Sequence, residues 1–328
     1  MVRMRRGAWA AALLAVTVTG SLMTGCTAGD GSGGGPVDDS RAPSRSDGPD
    51  PSGSGEPDAG PVLAVKIDNV PAARPQTGLD AADVVYAEQV EGGLSRLMAV
   101  FASTYPKAVG PVRSARESDL ELLRQFDEPT LAFSGAQRKL LPLIDEAPLD
   151  PQLPGKVSGA WYRGAGKAAP HNLYLHPERL VGSAPGDAAL TTGFSYGAAP
   201  SGGTPETSRT VRFPSARFTF TWSAERKRWL VAMDGTPTVT TEGTSVAAAT
   251  VVVQYVKVRE SKYHDVLGNN SPYTESVGSG TAQVLRDGRS FDAKWTRSGA
   301  ADGTRFTTPD GAPMNFARGQ VWVVFAKA

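Results

Sequence analysis

The feature that limits this chain most is a break in composition near residue 60. From Thr27 to about Gly60 it is almost wholly Gly, Ser, Pro, Asp, Ala and Arg, with Val37 its only large aliphatic residue. Such a segment cannot bury enough apolar surface to offset its conformational entropy. Any folded core must therefore come from Pro61 to Ala328, enough chain for one large or two small domains. As a random coil of some 34 residues the segment reaches roughly 30 Å.

What precedes that segment has the three-part order of a signal peptide. Arg3, Arg5 and Arg6 lead an apolar run from Ala8 to Val18, followed by small residues and Leu22-Met23-Thr24-Gly25-Cys26. The run is about half of the roughly 20 residues that cross a bilayer as a helix, so the expectation is a cleaved leader and no spanning helix. Cys26 is the one cysteine among 328 residues. Its setting resembles a lipobox, with Met23 where Leu is usual. Acylation of Cys26, as by palmitate, would anchor the protein on the outer side of the cytoplasmic membrane. One cysteine also forbids an intramolecular disulfide. Arg5-Arg6 leaves the twin-arginine export route open beside the general one.

The formal charge of +1, with both signs interspersed, offers no concentrated basic surface, so no nucleic-acid partner is expected. The acids of the tether outnumber Arg41 and Arg45, which leaves the lipid as the only membrane attachment.

Hydrophobic patterning divides the folded part. Apolar runs at Val62–Ile67, Val84–Tyr86, Arg96–Phe101 and Leu131–Phe133 predict strands, with a turn at Glu91-Gly92-Gly93. Leu120, Leu122, Leu123 and Phe126 recur at helical spacing behind Ser114-x-x-Glu117, which predicts a helix over 115–127 with Ser114 as N-cap. A second helix is expected over 137–146, broken by Pro142. Further on, alternating runs at 217–222, 228–233, 250–258, 282–285, 290–295, 305–307 and 320–325 are separated by Asp234-Gly235, Asp287-Gly288 and Asp310-Gly311 turns, the pattern of antiparallel hairpins. The expected class is α+β. The expected organisation is signal peptide 1–25, lipidated cysteine and tether 26–60, N-terminal α/β domain 61–200, linker 201–215 and C-terminal β domain 216–328.

Several ordered stretches carry a resemblance: Ala73-Arg74-Pro75-Gln76, Ala82-Asp83-Val84-Val85-Tyr86-Ala87-Glu88, Glu91-Gly92-Gly93, Gly110-Pro111-Val112-Arg113-Ser114-Ala115-Arg116, His171-Asn172-Leu173-Tyr174 and Val277-Gly278-Ser279-Gly280. From about Pro61 to the C-terminus they resemble the YerB-like bacterial lipoproteins, a family whose domain is of unknown function. The resemblance implies an N-terminal α/β region, a C-terminal β region and a surface lipoprotein. It implies no activity, substrate or catalytic residue.

The residues themselves suggest where chemistry would sit. Gly110 to Arg116 leads a glycine turn toward the predicted helix start, where Arg113, Ser114 and Arg116 would offer guanidinium forks and backbone N–H groups to an anion. Alternatively, these arginines pair with Glu88, Glu91 or Asp119 inside the fold. Arg74, Gln76, Lys66 and Arg96 lie near strand ends in the same half; of these, Arg74, Gln76 and Arg96 join Arg113, Ser114 and Arg116 as candidate ligand-binding residues. Asp68, Glu88 and His171 are the candidate catalytic set, since a carboxylate beside an imidazole can move protons. The alternatives for Asp68 and His171 are a turn or cap and a hydrogen-bonded structural histidine. His171, His176 and His264 show no zinc-ligand spacing, so no metal is expected. Nucleotide-loop, Gly-x-Ser-x-Gly and His-Glu-x-x-His signatures are lacking, and no cofactor is expected. Trp222, Trp229, Trp295 and Trp322, with Phe218, Phe220, Phe291 and Phe325, fill a β core or line a carbohydrate-stacking face.

Three functions remain open on these grounds: binding of an anionic envelope component through the arginines, an envelope hydrolase or transferase built on Asp68 or Glu88 with His171, and a scaffold for other exported proteins.

Overall fold

A computed structural model describes residues 60–265 and 267–328. The signal peptide, Cys26 and the tether lie outside the described residues. The first half contributes β1 (Leu63–Asp68), β2 (Val84–Gln89), β3 (Ser95–Phe101), α1 (Glu117–Leu123), β4 (Thr130–Ala132), α2 (Leu141–Asp145), β5 (Asp150–Gln152), β6 (Trp161–Arg163) and β7 (Leu173–Leu175). The protein is mostly strand, and its helices are short. The expected N-terminal sheet with helices is thus met only in part: the sheet is there, and the helices α1 and α2 span seven and five residues.

The two sequence halves share one sheet. Eleven strands form it, and from its interior to one edge it runs Thr250–Val256, Val321–Lys327, β2, β3, β1, β4, β5. Val321–Lys327 lies parallel to both of its neighbours, with Val84 and Thr250 each opposite Val321. A second sheet of five strands contains Ser208–Phe213, Ala216–Ser223 and Arg228–Met233. Residues 201–215, expected as linker, thus hold the strands Thr204–Pro205 and Ser208–Phe213. The described residues all fall in one compact unit.

Strand alternation sorts side chains onto the two faces of the large sheet. Leu63, Val65, Val85 and Trp322 meet Phe218, Phe220 and Trp229 of the second sheet. Rings of Phe218 and Phe220 lie 6.1 and 5.9 Å from that of Trp322. The opposite face packs Ala64, Tyr86 and Met98 under Leu122, Leu123 and Phe126. Of the eight aromatic residues of the second half named above, only Trp222 is half-buried and the rest are buried, so they are core.

Two of the three Asp-Gly pairs make the tight turns expected of them. Asp234 and Gly235, and Asp287 and Gly288, all have positive φ, the backbone of a type I′ hairpin turn. The helix boundaries differ from expectation. α1 begins at Glu117 behind Arg116, whose backbone N–H is held by the Asp119 carboxylate at 2.7 Å, not at Ala115 behind Ser114. Pro142 lies in the first turn of α2, where a missing N–H costs nothing; it starts that helix instead of breaking one.

Candidate functional site

Three segments meet at the end of β1. The stretch Val109 to Arg113 is clamped between β1 and β7: Arg113 N donates to Lys66 O at 2.7 Å, Asp68 N to Pro111 O at 2.8 Å, and Val112 N to Leu173 O at 2.7 Å. Gly110 permits this closeness, because a Cβ there would lie 2.7 Å from Tyr174 Cδ1 and 2.8 Å from Leu173 O. The clamp carries the loop before β7 to the end of β1. There His171 Nδ1 lies 2.8 Å from Asp68 Oδ2, and Arg113 Nε lies 3.3 Å from the same oxygen.

Register places the other charged groups. Asp68 on β1 and Glu88 on β2 both stand opposite Arg96 on β3, and directly paired residues share a face. Arg96 Nη1 donates to Ser114 O at 3.1 Å; among the described residues it has no carboxylate partner within salt-bridge distance. Burial, with the nearby Arg116 and Arg113 charges, lowers its guanidinium to about 10, so it stays charged at neutral pH. Arg116 makes a two-pronged pair with Glu91, 2.6 Å at each oxygen. Burial alone would raise the Glu91 carboxyl, but Arg116 and the Ser271 hydroxyl outweigh it and hold the group below its ordinary 4.5.

Arg96, Arg113, Ser114 and Arg116 line a cleft of about 800 Å³, and Tyr263 and Leu267 line it too. The latter two belong to a hairpin of Val258–His264 and Asn270–Thr274 that the strand reading had partly merged with Thr250–Val256. Asp265 and Gly268-Asn269 were its legible turn residues.

The remaining candidates lie elsewhere. Arg74 is braced internally, to Asp234 at 2.8 Å and to the carbonyls of Asn69 at 2.7 Å and Met233 at 3.2 Å. Gln76 is buried and donates to Asn69 Oδ1 at 3.0 Å. Glu88 does not join Asp68 and His171: its carboxylate meets Lys66 and accepts from Ser118 Oγ at 3.1 Å. Burial, assisted by the Asp119 charge, pushes the Glu88 carboxyl above its ordinary 4.5 against the pull of Lys66. The backbone N–H of Arg116, at the start of α1, is already taken by Asp119.

Models of the "Protein of unknown function (DUF3048)" family match the chain with the N-terminal domain over residues 49–190 and the C-terminal domain over 209–323. A relative from Bacillus subtilis (strain 168), "Putative lipoprotein YerB", is 49% identical over 65 residues; that stretch spans 20% of this chain and 20% of the relative. The crystal structure of YerB protein from Bacillus subtilis superposes with a TM-score of 0.67 at 21% identity, covering 82% of this chain and 91% of the other. The two share a fold. No described helix is long and apolar enough to cross a membrane.

Proposed function

Because the chain belongs to the DUF3048 family, whose N-terminal and C-terminal domains it carries in order, we propose that it is an exported, lipid-anchored protein that binds an acidic group in the Arg96–Arg113 cleft. The anchor rests on the signal pattern ending at Cys26 and on the lipoprotein name of its relative. A Cys26→Ser variant then leaves the membrane fraction, and persistence there sinks the anchor.

One observation carries the binding reading: among the described residues Arg96 lines a cleft while holding a single side-chain hydrogen bond and no carboxylate. A guanidinium has five N–H donors, so most of its capacity is open to a ligand. Calorimetric titration of the purified full chain with inorganic phosphate tests this. Binding weakens at least about tenfold, roughly 1.4 kcal/mol, in both Arg113→Gln and Arg96→Gln. Equal affinity in all three proteins discards the cleft.

A second reading is favoured by the 2.8 Å contact of His171 Nδ1 with Asp68. A carboxylate on one ring nitrogen fixes the tautomer and leaves the other for proton transfer. Turnover of a chromogenic phosphodiester that is lost in His171→Ala supports an enzyme; equal turnover in both proteins, or none, removes this reading.

A further inference from the structure

Every acid that lines the cleft already has an internal partner. Asp68 is shared by Arg113 and His171, and Glu91 holds Arg116. Glu117 accepts from Ser261 Oγ at 2.5 Å. Asp265 closes its own turn, accepting from Leu267 N at 2.8 Å and Asn269 N at 2.9 Å. The cations are not so satisfied. Among the described residues Arg96 and Arg138, both lining the cleft, make no ion pair, and Arg113 engages only through Nε. Unspent capacity in this cleft is therefore cationic.

The rest of the lining is mainly apolar. Val70, Leu94, Ala136 and Tyr263 are half-buried there. Leu267, at 83% exposure, is far more open than any other exposed large hydrophobic residue of the described chain. Covering an isobutyl group on the wall of a cleft removes apolar surface from water and is therefore favourable. A small inorganic anion satisfies the guanidinium groups and leaves that wall wet. The cleft's 800 Å³ is the size of a small-molecule site.

We propose that the cleft takes a single-chain amphiphile with one anionic head, the head on Arg96 and Arg113 and the chain against Leu94, Tyr263 and Leu267. This rests on the anion-binding reading above and names the class of its ligand.

The experiment titrates the full chain with inorganic phosphate, octyl phosphate and the neutral octyl glucoside, each below its micelle concentration. Octyl phosphate binds about fifty-fold tighter than phosphate, the gain from burying about three methylenes at ~0.8 kcal/mol each. Octyl glucoside binds far more weakly. Leu267→Ser, an exposed change that adds no charge to the cleft, removes the gain while phosphate affinity is kept; Arg113→Gln weakens both phosphates. If octyl phosphate and phosphate bind alike, the amphiphile is overturned and the anion site stands. If neither binds, both readings fall. Equal binding of octyl glucoside and octyl phosphate overturns the anionic head, and an undiminished gain in Leu267→Ser overturns the placement of the chain.

Discussion

The ammonium of Lys66 and the carboxylate of Asp119 meet at 2.7 Å with neither side chain exposed. The same ammonium pairs with Glu88, so one buried cation answers two carboxylates, one on β2 and one in the first turn of α1. Removing it leaves buried negative charge without compensation. Lys66→Ala should cost about 3–5 kcal/mol, and Glu88→Gln, which keeps shape and removes one of the acids, should cost clearly less. Urea unfolding midpoints of the two variants check the order.

Glu91 gives a pH dependence of known sign. Its carboxyl titrates below 4.5 in the folded protein, so between that lowered value and 4.5 the unfolded chain binds more protons and stability rises with pH. The contribution is complete above 4.5 and is lost as pH falls through the folded value. Glu91→Gln should therefore flatten the acid limb of a melting-temperature profile while leaving the slope above pH 6 as it was.

Asp68 competes with any ligand for Arg113. Asp68→Asn removes one negative charge from the cleft, and phosphate should bind about fivefold tighter, on the scale of ~1 kcal/mol for an ion pair whose arginine is partly exposed. Weaker phosphate binding in a folded Asp68→Asn protein would place the anion away from Arg113.

Gly110 lies where a side chain has no room. Gly110→Ala drives a methyl group against Tyr174 and a backbone carbonyl of β7 and should cost about 1–3 kcal/mol. Gly166→Ala, with nothing within 4 Å of its added carbon, should stay within about 0.5 kcal/mol. Thermal unfolding of the two proteins separates close approach from general sensitivity at glycine.

Local chemistry was legible where it acts alone. Asp-Gly pairs and apolar alternation locate most strands of the second half to within a few residues, because a hairpin needs only its own turn and its own two faces. The start of α1 was misplaced because Ser114-x-x-Glu117 competes with tertiary bonds. Arg113 and Ala115 spend their N–H groups on Lys66 and Gly135, which keeps the backbone extended past Ser114 and hands the cap to Asp119. In the site, Asp68 and His171 were candidates that the fold joins across 103 positions. Glu88 could not be sorted from them in advance, since its fate depends on Lys66 two residues before Asp68 on the same face of β1. The Tyr263–Leu267 wall was missed because no local pattern tells which cleft a hairpin will border.

Val321–Lys327 lies between β2 and Thr250–Val256, parallel to both. Until that strand is in place, β2 and Thr250–Val256 each present an open row of backbone donors and acceptors, the kind of edge that recruits other chains. During folding the strands that precede it must wait, unsealed, for the segment made last among them. A chain ending before Val321 would then be two sticky half-sheets in place of a shortened protein, and any quality-control step would meet all of the molecule finished or none of it.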